Sequence, residues 1–549
     1  MENLMDNIYR IYQINRHVMI CFLLIIFFLI TSSCKNESQS FENAKAITYA
    51  DTESPNSLMP CQRDRLNAPG SYLSELVFDG LVNKVGIKPN GQQRFKWALA
   101  DTWQEKGFSA EERRIVEVVL FPGVHWHDGR KFTADDVIFS WKALKESNAQ
   151  MKGWLISFIK SINKIDNRTI SIQLHIERSE EVVKELLSSF KILPRFIMHN
   201  NSEKELPTDL NSEGFAQDYA WKPIGTGPYK VEDFKITSAT FKANEDYFLG
   251  APKIKQFFFR RIEDYHIMVK SMLDKSVHVA MNIHPESSDR LLNSNFRQRK
   301  IYPYSFYAIA YNLNRYPFKS IKYRRLINQA TNKIDLAKEM FPVKDVTAFI
   351  NASVFPHNYQ YVQDCEDNSF DSAISFNPKK AGKKLKRLRQ KKAYTLLVSS
   401  ELDGARVQNM ANSYKQMMKN LGIQVSISDQ SSSQYFAMIK QKNYDAVFVH
   451  FKGFDHFYDI RSLFSKKGKM NLFYCNNKKL KKCLKEFGKT ISYEKLTHIT
   501  KDIHKIVESY VPACFLFTLP EYTYHDNRIG SVIIHPEIGF AKANHWFIK

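Results

Sequence analysis

The sequence lacks the patterns that mark metal-bound and disulfide-rich scaffolds. It has seven cysteines among 549 residues, with no CxxC pair and no cysteine–histidine spacing suited to structural zinc. If an export signal removes Cys21 and Cys34 is modified, five cysteines remain, and an odd number leaves at least one unpaired within the chain. A fold built on cysteines is therefore excluded, and any disulfide pairing stays open.

Motifs of catalysis are also missing. The chain has no GxSxG nucleophile elbow and no HExxH zinc motif. Its glycine-rich stretch GTGPYKVEDF (Gly225–Phe234) does not fit a phosphate loop, because Pro228 removes a backbone amide and no lysine follows at the required spacing. The adjacent carboxylates Asp135 and Asp136 stand in the first turn of a predicted helix, where capping explains them. These absences favour a binding protein over an enzyme.

Long apolar runs are confined to the start of the chain. Thirteen apolar residues, Val18–Ile30, follow a short segment that carries two arginines. At about 1.5 Å rise per residue they fall short of a bilayer core of roughly 30 Å, so they predict an export signal rather than a membrane span. The small residues Thr31–Ser33 before Cys34 resemble a bacterial lipoprotein signal, in which residues 1–33 are removed, Cys34 is lipidated and residues 34–46 form a polar tether. Plain secretion, with an ordinary thiol at that cysteine, is the alternative.

Positive charge predominates, with 79 Lys and Arg against 57 Asp and Glu and a formal net charge of +22. Much of it lies in two runs, KKAGKKLKRLRQKK (Lys379–Lys392) and NNKKLKKCLKEF (Asn476–Phe487). Such runs are typical of nucleic-acid-binding proteins, but export argues against that partner. Ala381, Leu385 and Leu388 recur at helical spacing, which predicts that the first run is the solvent face of an amphipathic helix. Attraction to anionic lipid headgroups is the alternative role for these charges.

One histidine-rich stretch, FPGVHWHDGRKFTADDVIFSW, could begin a metal site. His125 and His127 alternate at the end of a strand predicted for Arg113–Gly123, so they share a face. The Asp-Gly pair that follows suits a turn, and Thr133 is a good N-cap for a helix. Strand, turn and capped helix account for the stretch without a metal, and a metal at the two histidines is the alternative.

The remaining periodicity alternates between strands and helices. It predicts a strand over Phe306–Phe318 and a helix over Lys322–Met340. Two further predicted strands, Tyr394–Ser400 and Ile423–Asp429, flank a helix with one apolar stripe. A β-α-β unit requires parallel strands in a covered sheet. The pattern therefore predicts an α/β fold.

About a dozen segments, in their order along the chain, resemble the extracellular solute-binding proteins of family 5, the oligopeptide-, dipeptide- and nickel-binding components of ABC importers. The segments are SPNSLMP (Ser54–Pro60), SELVFDGLV (Ser74–Val82), LADTW (Leu99–Trp103), LFPGVHWHDGRKFTADDVIFSW (Leu120–Trp141), GTGPYKVEDF, NEDYFLGAPKI (Asn244–Ile254), YNLNRYPFKSIKYRRLINQATNKIDL (Tyr311–Leu336), FNPKKAGKKL (Phe376–Leu385), LGIQV (Leu421–Val425), YDAVFVHFKGFD (Tyr444–Asp455) and VPACFLFTLPEYTY (Val511–Tyr524). Together they cover nearly all of the chain beyond the signal.

The resemblance implies a two-lobed α/β fold of the periplasmic-binding-protein kind, type II, in which a ligand is enclosed between lobes that close by hinge motion. It also implies three domains. The first would combine Ile47–Phe78, Tyr229–Lys300 and Leu519–Lys549, the second would be Asp79–Pro228 and the third Ile301–Thr518.

The implied function is capture of di- or oligopeptides by a lipid-anchored substrate-binding protein, which delivers them to a membrane permease. No cofactor and no catalysis are implied, and we expect a monomer. In peptide-binding members an aspartate pairs with the α-ammonium of the peptide. The matching stretch here is HFKGFDHFYDI (His450–Ile460), which places Asp455 at the carboxylate, His456 beside it and Asp459 as a rival. A charge-assisted hydrogen bond would offset the desolvation of the ammonium.

Two further segments resemble walls of the ligand cleft. One is the loop after Pro60, with Gln62 and Arg63, whose guanidinium could bind a ligand carboxylate in a bidentate pair. The other is the strand that carries Tyr304 and Phe306. Both are expected to contact the ligand.

Two alternative functions stay open at this point. Within the same class, the ligand could be a nickel chelate, haem or another small solute such as a sugar. From another class, the chain could be a surface metallohydrolase that uses His125 and His127, which would require bound zinc and a carboxylate base. In every case the protein would be exported and would face the periplasm or the cell surface.

Overall fold

The computed structural model describes most of the chain from Ala46 to Lys549. The described residues are 46–55, 57–60, 68–87, 93–108, 114–146, 158–175, 183–184, 187–188, 190–199, 202–205, 222–281, 283, 289–301, 305–341, 350–351, 354–355, 375–388, 393–404, 406–451, 457–466, 468, 470–487, 493–534, 539–540 and 542–549. The predicted signal, Cys34 and all but the last residue of the predicted tether lie outside them.

The strands of the described residues are β1 (Ala46–Asp51), β2 (Val82–Ile87), β3 (Gln93–Trp97), β4 (Ala100–Phe108), β5 (Arg114–Leu120), β6 (Ile159–Lys164), β7 (Thr169–Leu174), β8 (Phe196–His199), β9 (Ser202–Glu205), β10 (Tyr229–Phe234), β11 (Ser238–Ala243), β12 (Gln256–Arg261), β13 (Val279–Ala280), β14 (Phe296–Ile301), β15 (Phe306–Tyr311), β16 (Ala393–Val398), β17 (Gln424–Asp429), β18 (Ala446–Phe451), β19 (Ala513–Phe515), β20 (Glu521–Asp526), β21 (Ile529–Gly530) and β22 (Phe547–Ile548).

The α-helices are α1 (Ala68–Val77), α2 (Ala134–Glu146), α3 (Tyr265–Leu273), α4 (Asp289–Leu292), α5 (Ile321–Ala330), α6 (Lys333–Met340), α7 (Pro378–Lys386), α8 (Ser400–Asp403), α9 (Arg406–Lys419), α10 (Ser432–Lys440), α11 (Phe457–Phe464), α12 (Lys478–Phe487) and α13 (Tyr493–Tyr510). A 3-10 turn spans Ala543–His545. Within the described segments, no helix combines the length and the apolar content that crossing a bilayer takes.

The largest sheet has seven strands in the order β10-β11-β12-β1-β13-β20-β14. β1 lies in its middle and runs parallel to both β12 and β13, while β20 pairs antiparallel with β13 and β14. Every residue of β1 is buried, as a central strand covered on both faces requires. Segments from near both ends of the described chain therefore meet in one sheet.

A second sheet has five strands in the order β17-β16-β18-β15-β19. β16 is parallel to β17 and to β18, which confirms the predicted β-α-β unit, and β15 is antiparallel to β18 and β19. Successive side chains of β15 enter cores on opposite faces, with Phe306 in one and Tyr307 in the other. Helices thus cover both faces of this sheet.

The third sheet is antiparallel and has four strands in the order β4-β5-β7-β6. Buried and partly buried residues alternate along β5, so one face of the sheet packs on a core that includes Val137 and Trp141 of α2. Three antiparallel strand pairs, β2–β3, β8–β9 and β21–β22, form small two-stranded sheets. The domain limits expected from the sequence, after residues 78, 228, 300 and 518, stay predictions.

Element boundaries match the sequence expectations in part. α2 starts after Thr133 as predicted, and the Thr133 N–H donates to Asp136 Oδ2 at 2.9 Å, so the carboxylate satisfies the amide at the start of the helix. β15 ends at Tyr311 rather than at residue 318, because Asn312 begins a turn. The helix predicted over residues 322–340 is two helices, α5 and α6. The backbone at Asn332 is extended, and the Asn332 side chain caps α6.

Candidate functional site

Two short stretches connect the five-stranded sheet to the seven-stranded sheet. Residues 302–305 lead from the end of β14 to the start of β15, and residues 516–520 lead from the end of β19 to the start of β20. Ile301 lies opposite Glu521 in the β14–β20 ladder, so both stretches leave the seven-stranded sheet at the same end of its strands. Four residues span at most about 14 Å, so the two sheet edges that they join lie close together. We call these two stretches the crossing ribbon.

Hydrogen bonds hold the crossing ribbon together at the five-stranded sheet. The Tyr307 N–H donates to Phe517 O at 2.8 Å, and the Thr518 hydroxyl donates to Ser305 O at 2.7 Å. The Asn351 side-chain amide donates to the Thr518 hydroxyl at 2.8 Å. Two short connections that lead into a strand at either end can bend through small changes in a few backbone dihedrals, which is the usual construction of a hinge.

The parallel strands of the five-stranded sheet have their carboxyl ends beside the ribbon, and we call this end of the sheet its edge. Phe451 at the end of β18 pairs with Phe306 at the start of β15, and β16 and β17 run in the same direction as β18. Asp429, the last residue of β17, accepts hydrogen bonds from the Ser400 hydroxyl and the Gln408 amide, both at 2.6 Å. Burial raises the pKa of Asp429, but these hydrogen bonds outweigh it and hold the pKa below its ordinary value. Asp429 is therefore a stable negative charge.

Glu401 in α8 adds a second carboxylate to this edge. It accepts hydrogen bonds from the backbone N–H and the hydroxyl of Ser432, at 2.7 and 2.8 Å. These two bonds lower the pKa of Glu401. In open α/β sheets, ligands bind beyond the carboxyl ends of the parallel strands, and an edge with two stabilised carboxylates suits a cationic group. Sequence reasoning missed both residues, although each lies at or just after a predicted strand.

Phe306 and the segment expected to bind the α-ammonium start from this same edge. The Phe306 ring is fully buried, with its centroid 4.9 Å from that of Phe451 and 5.7 Å from that of Phe515. Phe306 thus supports the edge from within the core, and a direct ligand contact by this ring stays a prediction that its burial does not favour. Asp455 and His456 follow β18 closely, but they lie outside the described residues.

The other residues expected at the site are also outside the described segments. Gln62 and Arg63 belong to the stretch between Pro60 and α1, and Tyr304 belongs to the crossing ribbon. The backbone of Asp459 lies in α11, directly after the segment that carries the expected aspartate. Their roles stay predictions.

The seven-stranded sheet places a carboxyl group of a different kind at its matching edge. Asp51, the last residue of β1, is fully buried and accepts a hydrogen bond from the Tyr49 hydroxyl. The Glu53 N–H donates to its other oxygen at 3.1 Å. Burial is the larger effect and raises the pKa of Asp51 to about 7. The sequence signal for Asp51, a carboxylate at the end of an apolar strand, was present but not used.

His127 belongs to a structural contact rather than to a metal site. Its Nδ1 accepts from the Gly225 N–H at 3.2 Å, and its Nε2 donates to Gly227 O at 2.9 Å, so both ring nitrogens are used. Burial lowers the pKa of His127 to about 4, which keeps the ring neutral. His125 is exposed, and in the part of the chain that the structure describes no three His, Cys, Asp or Glu side chains could hold a metal ion. A zinc pair at these two histidines is therefore wrong, and the turn with its capped helix is what the structure shows.

The glycine stretch that His127 contacts packs directly on the backbone of α1. A Cβ on Gly225 would lie 1.8 Å from Val77 O, and the Gly227 N–H donates to that same oxygen at 2.9 Å. Beside it, the buried carboxylate of Asp79 accepts from the Tyr247 hydroxyl at 3.2 Å, and burial raises the pKa of Asp79. We call this contact, which joins the four-stranded and seven-stranded sheets, the glycine junction.

Known proteins share both the sequence pattern and the fold of this chain. The sequence profile of the bacterial extracellular solute-binding proteins, family 5 middle, matches residues 95–471. The oligopeptide-binding protein AppA of Bacillus subtilis is 23% identical over 458 residues, which cover 79% of this chain and 80% of AppA.

Solved structures give the architecture. The structure of AppA from Bacillus subtilis in complex with a nonapeptide superposes with a TM-score of 0.73 at 18% identity and covers 92% of this chain and 99% of its own. NikZ from Campylobacter jejuni in complex with Ni(L-His) superposes with a TM-score of 0.72 at 20% identity, with coverage of 92% and 99%. The fold is therefore the two-lobed α/β fold of these binding proteins, as predicted. Because neighbours with one fold hold a peptide and a nickel complex, the fold alone does not identify the ligand.

Proposed function

This chain belongs to the bacterial extracellular solute-binding proteins of family 5, and from that premise we propose that it captures di- or oligopeptides and delivers them to the permease of an ABC importer. One lobe consists of the seven-stranded and four-stranded sheets, and the other of the five-stranded sheet. The guest is enclosed between them and released with its bonds intact.

The observation that carries this proposal is the pair of sheet edges joined by the crossing ribbon. Both edges are formed by the ends of parallel strands, where ligands of open α/β sheets bind. The ribbon joins them through connections of four and five residues, and bending there would open and close the space between the edges. An extended peptide could bond through its main chain to such edges, which explains low selectivity for side chains.

The charges at the five-stranded edge support a peptide with a free N-terminus. Asp429 and Glu401 are held in their ionised forms there, so the edge favours an ammonium group. Asp455 follows the last residue of β18 by four positions in the sequence, and we assign it the direct pairing with the α-ammonium. Asp459 at the start of α11 is the rival for that role.

We extend the proposal to the attachment of the protein. The exported chain carries a lipid on Cys34 and works beside the membrane as a monomer. Residues 34–46 are the tether, and at about 3.4 Å per residue they reach at most about 45 Å. This length keeps the lobes within reach of a permease in the same membrane.

Thermal unfolding in the presence of peptides tests the proposed ligand. The protein is first stripped of any ligand carried through purification, and mixed di- to pentapeptides are then added. A ligand at about 100 times its Kd adds roughly 2.7 kcal/mol to the free energy of unfolding, which raises Tm by several degrees. Mass spectrometry of the untreated protein should find peptides bound. A Tm that no peptide in the set raises would contradict peptide capture.

The assigned partner of the ammonium is tested by substitution. Asp455→Ala should weaken peptides with free N-termini by about a hundredfold, because truncating one member of a buried charge pair costs roughly 2–5 kcal/mol. Acetylated peptides, which lack the ammonium, should bind both proteins equally weakly. Asp429→Ala is the matched control at the same edge and should change affinity less than about threefold, since Asp429 is exposed. If Asp459→Ala gives the larger loss instead, the pairing belongs to Asp459.

A further inference from the structure

The outer end of the five-stranded sheet, opposite the edge at the crossing ribbon, is strongly basic. Three helices reach this end, α5, α7 and α9, and none of them contains an aspartate or a glutamate. The exposed cations on these helices, or one or two residues beyond their ends, are Lys319, Lys322, Arg325, Lys379, Lys380, Lys383, Lys384, Lys386, Arg387, Lys415 and Lys419. We call this surface the basic face.

Hydrogen bonds place α5 and α7 side by side at this end. The buried guanidinium of Arg324 donates to Val511 O at 2.6 Å and to Tyr510 O at 2.7 Å, just before β19 begins. The Asn377 N–H at the start of α7 donates to Gln329 O at the end of α5 at 2.8 Å. Because α7 starts beside the end of α5 and leads to the start of β16, its second half lies at the outer end of the sheet.

The end of α9 packs beside the same helices. Gly382 of α7 lies against Leu421, such that a Cβ at this glycine would be 3.0 Å from Leu421 Cδ2. Leu385, Tyr414 and Met418 are buried in the core beneath the two helices. With their apolar sides fixed to the sheet, the helices turn their cations to solvent.

Among the described residues, the cations of the basic face have no carboxylate partner at ion-pair distance. The carboxylates on the adjoining helix α6 have other partners: Glu339 accepts from the Ser413 hydroxyl at 2.9 Å, and Asp335 accepts from the Asn332 side chain at 2.5 Å. The second basic run differs, since Lys482 in α12 pairs with Glu486 at 3.9 Å.

We propose that the basic face binds the anionic headgroups of a lipid membrane. An array of exposed cations on packed helices complements a surface of closely spaced phosphates. Each basic side chain near an anionic bilayer strengthens binding about fivefold, and the attraction falls steeply as salt is added. The family is extracellular, so the anionic surface that such a protein meets is a membrane rather than nucleic acid.

This contact leaves the ligand edge open, because the two lie at opposite ends of the same parallel strands. β16, β17 and β18 begin at the basic face and end at the crossing ribbon. The basic face therefore orients the five-stranded lobe on the membrane while its ligand edge stays accessible. The inference is independent of which solute the protein carries.

Vesicle cosedimentation tests the basic face directly. The mature chain, from residue 35 onward and thus without signal or acyl group, is mixed with phosphatidylcholine vesicles that contain either no phosphatidylglycerol or about one third of it. We expect binding only to the anionic vesicles and a loss of at least about tenfold when salt rises from about 0.05 to 0.5 M. Equal binding to both vesicle types, or binding to neither, overturns the proposal.

Matched substitutions locate the contact. Replacing Lys383, Lys384, Lys386 and Arg387 together by Gln should lower the association constant at least about tenfold, while Lys→Arg at the three lysines should keep it within about twofold. The control replaces Lys235, Lys242, Lys270 and Lys275 by Gln; these four are exposed cations of the seven-stranded lobe, and their loss changes net charge equally. We expect the control to bind within about threefold of the parent.

Two outcomes of these measurements overturn the assignment. Equal losses in the two Gln variants show an effect of net charge alone. A duplex DNA that binds more tightly than the anionic vesicles at the same salt shows a nucleic-acid site instead. All eight positions are exposed, so unchanged thermal unfolding of the variants confirms that the comparison is between folded proteins.

Discussion

The glycine junction and the crossing ribbon both connect the seven-stranded sheet to a neighbour, but by opposite means. At the glycine junction, backbone touches backbone: Gly225 and Gly227 lie on the Val77 carbonyl, and His127 closes the contact with two ring hydrogen bonds. At the crossing ribbon, two short connections lead from one sheet to the next. One contact has no room for displacement, and the other can bend.

This difference shows which sheets move together. The four-stranded sheet is fixed to the seven-stranded sheet, because any rotation between them would push the Gly225 backbone into Val77. The five-stranded sheet is attached through the ribbon and through contacts such as the stacked rings of Phe341 and Tyr522, 6.2 Å apart. We propose that the three sheets thus give two lobes, with closure at the ribbon.

The largest expected effect comes from filling the glycine junction. In Gly225→Ala the new methyl carbon would overlap Val77 O. The methyl group is attached directly to the backbone and the oxygen belongs to the backbone, so neither can move aside. We expect a loss of more than about 3 kcal/mol in the free energy of unfolding, or no folded protein. Urea unfolding measures it.

Gly382→Ala is the matched control for this substitution. Gly382 lies inside α7, and its new methyl group would meet only the end of the flexible Leu421 side chain at 3.0 Å. Alanine favours a helix over glycine by up to about 1 kcal/mol, so the stability should stay the same or rise. If both variants lose equal stability, the glycine junction is not the rigid contact described above.

A smaller effect is expected at the ligand edge, from the proton of Asp51. Its pKa is about 7 in the folded protein and near 4 in the unfolded chain, so between these values the folded state holds a proton that the unfolded state has released. Stability therefore falls as pH rises from about 4 to 7. Asp51→Asn removes this dependence. The free energy of unfolding of the variant minus that of the parent should therefore be about 2–3 kcal/mol larger at pH 7.5 than at pH 4.

Thermal unfolding across that pH range measures the difference between the two proteins. Asp429→Asn serves as the control, because the pKa of Asp429 is lowered rather than raised. Its carboxylate contributes stability above the ordinary pKa of 3.8 that is lost only as the pH falls below that value, so the curves of the parent and Asp429→Asn should stay nearly parallel from pH 4 to 7.5. Parallel curves for the parent and Asp51→Asn would show that Asp51 is ionised in the folded protein.

The smallest effect is expected from His127 at the rigid contact. Its pKa is about 4 when folded and about 6.5 when unfolded, so the unfolded chain binds more protons between these values. The contribution of His127 is complete above pH 6.5 and is lost as pH falls toward 4. The side chain in His127→Gln can keep one donor and one acceptor. As the pH falls from 6.5 to 4, the free energy of unfolding of this variant should fall by about 1–2 kcal/mol less than that of the parent. If the difference in unfolding free energy between the two proteins does not change with pH, the His127 ring is charged in the folded protein as readily as in the unfolded chain.

The sequence predicted most where neighbouring residues decide the structure. The N-cap at Thr133, the β-α-β unit around β16 and β17, and the amphipathic helix at Lys379 all follow from spacing within a few residues, and the structure contains each of them. Family resemblance supplied the two-lobed fold. Periodicity failed at Asn332, where a residue suited to a cap ends one helix and starts another.

Contacts between distant parts of the chain could not be predicted. A metal at His127 stayed open as an alternative because the partners of this ring, Gly225 and Gly227, lie far along the sequence. The state of Asp51 depends on its burial under several segments, which no local pattern encodes. The residues expected to touch the ligand came from resemblance, and the described part of the site consists instead of strand-end carboxylates.

The central position of β1 determines when this protein can fold. Its neighbours β12 and β13 come much later in the chain, and β20, which completes that sheet, is later still. No fragment emerging from the ribosome can assemble the seven-stranded lobe before nearly the last strand has been made. Closing the long loops between β1 and these partners is therefore a late step of folding, and the entropy of those loops makes it a slow one.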